Sequence, residues 1–155
     1  PRPTPTIPLA ETEQTEQAHL ILGDIRVRQA IAYCTNKETL LSELYPWLEN
    51  PKSYIMDSFL PSSHWAYSGK DPDFSHYAYD PQKGMILLEK AGWRLSASSP
   101  YRQNAAGETL GLPLTTSQSE TRKIFLAAFI EQMKACGVEI RPNYLPAEAF
   151  FCRFE

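Results

Sequence analysis

Apolar and polar positions recur with a helical period across residues 24–45, DIRVRQAIAYCTNKETLLSELY. Val27, Ala30, Ile31 and Cys34 follow one another at spacings of three and four, which places them on one face of a helix. Asp24 stands just before this stripe as a capping residue. Arg26, Arg28 and Gln29 fall off the stripe and are expected as surface groups. Asn36 can cap a second short helix over residues 37–45, with Leu40, Leu41 and Leu44 as its apolar side, and Pro46 ends it. Such a helical pair must cover something larger, and the pattern alone names no function.

The same period returns after Asp80-Pro81. Asp80 caps, and Pro81 suits the first helical position because its missing N–H had no partner there. Met85, Leu88 and Ala91 form the stripe, Leu87 lies beside it, and Gly92 is a natural stop. Gly84 inside this helix costs about 1 kcal/mol relative to alanine. Residues 109–116 switch to a period of two, with Leu110, Leu112 and Leu114 on one face and Pro113 arguing for an edge or a strand start. Residues 117–137 form the clearest helix, capped by Ser117 or Ser119 and closed by Gly137, with Leu126, Ile130 and Met133 along one side and Phe125 and Phe129 widening it. Residues 138–144 alternate again. Strand, helix, strand in this order predicts a βαβ unit with parallel strands.

The remaining stretches are irregular. Residues 1–17 are rich in Pro, Thr and Glu and read as a linker or extended arm. Residues 53–56 fit a short strand, residues 57–79 a long loop carrying Phe59, Trp65, Tyr67, Phe74, Tyr77 and Tyr79, and residues 96–108 a polar turn region. Pro146-Ala-Glu begins one more helical turn. Phe150, Phe151 and Phe154 follow it with nothing downstream to complete them, as expected for a piece of a longer protein.

Composition narrows the classes. A chain of 155 residues fits one domain that buries roughly 70% of its unfolded surface. A net charge of −3 and the lack of a Lys/Arg cluster give no field for nucleic acid. The longest apolar run, residues 124–130, is seven residues, against ~20 for a membrane span. Residues 1–17 carry neither the basic nor the apolar region of a secretion signal, so the protein is expected to be cytosolic or an internal piece of a longer chain. Cys34, Cys136 and Cys152 include no CxxC pair, which speaks against a disulfide framework. Cys34 and Cys136 are expected as small buried hydrophobes.

Candidate chemistry is sparse. His19, His64 and His76 lack metal-ligand spacing. Ser62-Ser63-His64 is a weak nucleophile–base pattern, since neighbours in a loop seldom point at each other and no GxSxG elbow is present. Asp71, Asp73 and Asp80 read as solvated or capping carboxylates. Gly107, Gly111 and Gly137 form no phosphate cradle. The aromatic loop is the better candidate: His64, Trp65 and Tyr67 could wall a ligand cleft. Against that, Trp65 and Tyr67 are expected to fill the core beneath the loop, Trp65 in particular.

Four stretches in register resemble one family. RVRQAIAYCTNKETLL is similar to the segment R-V-R-Q-A-I-x-x-A-x-D-R-x-x-(I/L) of the extracytoplasmic solute-binding proteins of peptide, dipeptide and nickel ABC transporters. LPSSHWAY sits where that family has P-x-x-(H/S)-W-A-Y. YAYDPQKGMILLEKAGW resembles Y-x-Y-D-P-x-K-A-x-x-L-L-x-x-A-G-W, and TRKIFLAAFIEQMKACGVEI resembles the following helix and strand, ending L-x-x-(I/A)-G-(I/V)-x-V. Asn36-Lys37 replaces Asp-Arg, which keeps a cap and a cation, and Gly84 replaces Ala.

The resemblance implies an α/β lobe of the type II, cluster C periplasmic-binding-protein class, with helices packed on a small mixed sheet and one βαβ unit. Residues 1–23 would be an arm and residues 24–155 part of the C-terminal lobe of a two-lobed protein. It implies a non-enzymatic, extracytoplasmic or lipid-anchored substrate-binding component of an ABC importer; no cofactor is expected, and the histidine spacing leaves no metal site expected either. Oligopeptides or dipeptides are the expected cargo, ahead of nickel chelates or oligosaccharides, and membrane permease subunits the expected partners. The fragment is expected to be monomeric and to bind no nucleic acid. His64, Trp65 and Tyr67 are its candidate ligand-binding residues, and no peptide-anchoring acid is carried over. A ligand-sensing domain of a transcription regulator and a small hydrolase using His64 are the alternative classes.

Overall fold

The computed structural model describes residues 20–58, 60–69, 71, 74–97 and 99–151. The arm expected over residues 1–17, as well as His19, Asp73, Cys152 and Phe154, lies outside these. Helix α1, Ile25–Cys34, is capped by Asp24, whose side chain accepts the Arg26 backbone N–H. Helix α2, Lys37–Leu44, is capped by Asn36 through the Thr39 N–H. Helix α3, Pro81–Lys90, begins with Asp80 accepting from the Lys83 N–H and with Pro81 at its first position. Each cap supplies an acceptor to a first-turn N–H that has none within its own helix.

Strands β1, Arg94–Ser96, and β2, Ser99–Gln103, form an antiparallel hairpin. Strand β3, Gly111–Ser117, helix α4, Glu120–Ala135, and strand β4, Glu139–Leu145, follow, and helix α5, Ala147–Phe151, comes after them. β3 and β4 pair in parallel from Gly111 opposite Glu139 to Ser117 opposite Leu145, so the expected βαβ unit is present. Pro113 is exposed and sits opposite Arg141. The hairpin joins this unit through backbone bonds: the Arg102 N–H donates to Gly137 O at 2.7 Å, and Arg102 O accepts from the Leu110 N–H at 2.7 Å.

Gly137 closes α4 with φ +83°. A Cβ there would also approach Arg102 Cγ to 2.8 Å, so conformation and space both require glycine.

One continuous core joins the layers. Val27, Ala30 and Cys34 of α1, Leu88 of α3, Leu110, Leu112, Leu126, Met133, Cys136, Val138 and Ile140 are all buried in it. The main neighbour of α1 is α3, while α2 lies against α4. The α1 stripe therefore meets a helix before it meets the strands.

Three expectations are corrected. Cys34 and Cys136 are buried, but they are not separate thiols: they form a disulfide with Cα atoms 6.4 Å apart. The absence of a CxxC pair does not exclude one bridge between cysteines 102 positions apart. Residues 53–56 are not a strand. Pro51–Tyr54 is a 3-10 turn, in which the Ser53 N–H and hydroxyl both donate to Asn50 O, and among the described residues no strand pairs with it. Residues 96–108 are not merely turns, since β2 and the end of β1 lie there.

Candidate functional site

The α1–α2 junction and the two loop segments opposite it enclose an open groove of about 330 Å³. Thr35, Asn36 and Lys37 come from the junction, Asp57 from one segment, and His76, Tyr77 and Tyr79 from the other. The junction is held where it is by α4: Gln132 Oε1 accepts the Asn36 N–H at 2.8 Å and Gln132 Nε2 donates to Asn36 O at 3.3 Å. The second loop segment is anchored by the Asp80 N–H donating to Tyr33 O at 2.9 Å. Tyr33 and Tyr77 meet edge to face at 5.3 Å.

Charge is concentrated in the groove. Asp57 lies 3.8 Å from Lys37 Nζ and 3.1 Å from His76 Nδ1. Lys37 Nζ also donates to Met56 O at 3.1 Å. All three side chains keep substantial contact with solvent, so they are available to a ligand. Nearby, Lys83 sits over the Tyr33 ring, 4.2 Å from its centroid. Its hydrogen bond with Tyr33 holds its pKa above the usual lysine value despite the opposing desolvation. A cation, a carboxylate, an imidazole and two phenols around one opening suit a polar ligand with charges of both signs, because each ligand charge can meet an opposite one.

The aromatic loop approaches this groove from one side. Tyr67 is half-buried and packs toward Phe74, ring centroids 6.3 Å apart, and Phe74 meets His76 edge-on at 4.9 Å. A side chain at Gly69 would collide with the Tyr67 ring. Tyr67 is thus linked through Phe74 and His76 to Asp57 and Lys37. His64 and Trp65 are not part of that line. Their rings stack on each other at 5.6 Å, and His64 Nδ1 accepts the Ala66 N–H at 3.1 Å.

Trp65 is 92% exposed, so the expectation that it fills the core is corrected. The loop closes on itself in two tight turns, with the His64 N–H on Pro61 O and the Tyr67 N–H on His64 O. Those turns take up the chain length that would have carried Trp65 inward.

Asp80 serves as the cap of α3. Among the described residues no group of three or more His, Cys, Asp or Glu side chains could hold a metal ion. Lys37, Asp57 and His76 were not singled out from the sequence as a cluster, and their spacing carries no signal. The one available hint was Lys37, which keeps the cation of the family motif.

Helices over small sheets around a βαβ unit define the class: the fold is that of type II periplasmic binding proteins. An oligopeptide-binding protein from Thermus thermophilus, solved with a pentapeptide, superposes with a TM-score of 0.71 at 23% identity, over 91% of this chain and 23% of that one. Residues 11–152 match the profile of bacterial extracellular solute-binding proteins, family 5 Middle. The chain belongs to this family of bacterial extracellular solute-binding proteins.

The nickel-binding periplasmic protein of Escherichia coli (strain K12) is 30% identical over 119 residues, 76% of this chain and 21% of the relative. The dipeptide-binding protein of the same organism is 30% identical over 93 residues, 54% of this chain and 16% of the relative. The chain thus spans about a fifth or less of the length of these curated relatives. Members of the family are transport binding proteins rather than enzymes.

Proposed function

We propose that this chain is part of the C-terminal lobe of the substrate-binding component of an ABC importer. In this reading the full protein clamps a solute between two lobes by hinge closure and delivers it to a membrane permease. The match to the family profile across residues 11–152 is the observation that carries it. Short peptides are the cargo we favour. The matched relatives include a dipeptide-binding protein and a structure holding a pentapeptide, and the groove presents Lys37 and Asp57 to a ligand that bears both an amine and a carboxylate. A nickel-binding relative keeps metal chelates as the second cargo.

The Cys34–Cys136 bridge supports an extracytoplasmic location, since disulfides persist in oxidising compartments. A non-enzymatic role is supported by the engagement of His64 with its own loop backbone and with Trp65, which occupies the Nδ1 lone pair that a general base would use. We place His64, Trp65 and Tyr67 on the wall of the inter-lobe cleft. Calorimetric titration of the full protein with defined di- and oligopeptides is the test. Binding that weakens on the order of tenfold in Trp65→Ala, as expected for loss of an aromatic contact of about 1–3 kcal/mol, supports both cargo and wall. Full peptide affinity in Trp65→Ala removes Trp65 from the wall, and no heat with any peptide removes the cargo.

A further inference from the structure

Gly84 lies in the middle of α3, where glycine weakens a helix, and its φ is ordinary, so no backbone demand explains it. Space does. A Cβ at position 84 would come within 2.6 Å of Cys34 Sγ and 3.0 Å of Ala30 O. The first approach is closer than packed atoms tolerate. The sulfur cannot retreat, because it is bonded to Cys136 on the far side. The sulfur on α1 faces a missing methyl on α3.

We infer that Gly84 is the seat of the Cys34–Cys136 bridge, and that the three residues together form a redox-dependent clasp fixing the groove wall to the βαβ unit. Cys34 directly precedes Thr35, Asn36 and Lys37, which line the groove. Cys136 lies one turn beyond Gln132 on the same face of α4, and Gln132 holds the Asn36 backbone. The covalent and hydrogen-bonded ties thus act on one junction, from one helix face. The clasp closes by thiol–disulfide exchange: the two thiols give up two protons and two electrons, and a disulfide oxidant takes up both to become a dithiol.

Thermal unfolding and peptide mapping of the full protein test this. In the oxidised protein Cys34 and Cys136 are expected as one cross-linked peptide pair. Gly84→Ala is expected to lower both the yield of that pair and the melting temperature by several degrees. In the Cys34→Ala/Cys136→Ala background the same substitution should recover most of that loss, since only the approach to Ala30 O remains and alanine is the better helix former. If Gly84→Ala alone fails to fold, a folded triple variant carries the same conclusion. An equal loss in both backgrounds, a triple variant that also fails, or recovery of the two cysteines as free thiols from the oxidised protein overturns it.

Discussion

Arg102 is a charged side chain only 1% exposed, and its burial is tolerated because carbonyl groups, rather than one acid, surround it. Its Nε donates to Cys136 O at 2.9 Å and its NH1 to Trp93 O at 3.1 Å. These carbonyls stand at and just beyond the C-terminal ends of α4 and α3, where partial negative charge accumulates. Glu89, 3.3 Å away, is mostly exposed. Arg102→Met is therefore expected to cost about 3 kcal/mol, the scale of stranding buried polar partners. Glu89→Gln should cost under about 1 kcal/mol. Urea unfolding of the two variants checks the contrast. Nothing in the polar run around Arg102 advertised this role, because its partners come from residues 9 and 34 positions away. Asp24, by contrast, was legible as a cap from its place before an apolar stripe. Its hydrogen bonds to the Arg26 guanidinium, at 2.6 to 3.1 Å, hold its pKa below the usual carboxylate value, with desolvation opposing. A depressed folded pKa stabilises above the unfolded value of about 3.9 and is lost as pH falls through the lower folded one. The melting-temperature advantage of the native protein over Asp24→Asn should accordingly persist at neutral pH and close in that acidic window.

At the scale of elements, the parts that announced themselves are those whose apolar period matches their geometry. Leu110, Leu112 and Leu114 alternate into β3, and Leu126 and Met133 mark the inner side of α4; both elements appear where expected. The β1–β2 hairpin escaped because the one buried side chain of β2 is Arg102 and the leucine of β1, Leu95, is exposed, so a hydrophobic count finds no strand pattern there. The groove escaped for a related reason. Lys37, Asp57 and His76 come together only after α2 and two loop segments are laid against one another, and no spacing encodes that. The Gln132 amide governs where α2 begins. Gln132→Ala removes both of its bonds to the Asn36 backbone and is expected to cost about 1–2 kcal/mol, the range for a half-buried hydrogen-bonded pair. Hydrogen exchange should then quicken in the first turn of α2 and stay unchanged in β3 and β4, whose parallel ladder does not pass through Asn36. Equal quickening in both places would mean that α4 itself had shifted.

For the molecule as a whole, three tryptophans report on three environments. Trp93 is 9% exposed in the shared core, while Trp47 and Trp65 are 72% and 92% exposed. Scattered apolar residues at a surface are ordinary, but Trp65 stacks on His64 at the end of a loop whose other aromatics lead into the groove. If that face is one wall of a two-lobed cleft, Trp65 must lose solvent when the lobes close, and Trp47, placed after α2, need not. Acrylamide quenching of the full protein separates the two. Saturating peptide should protect a fluorescence component that Trp65→Phe removes, leave the component removed by Trp47→Phe accessible, and not alter the protected signal of Trp93. In that case the isolated 155-residue chain would hold a single wall, and it is expected to bind peptide more weakly than about 1 mM, because a site on one surface gains only part of the burial available in a closed cleft. Its Trp65 should then stay equally quenchable with and without peptide. Protection of Trp65 in the isolated chain would show that this lobe is sufficient by itself to enclose a ligand, and would make closure a refinement of binding rather than its origin.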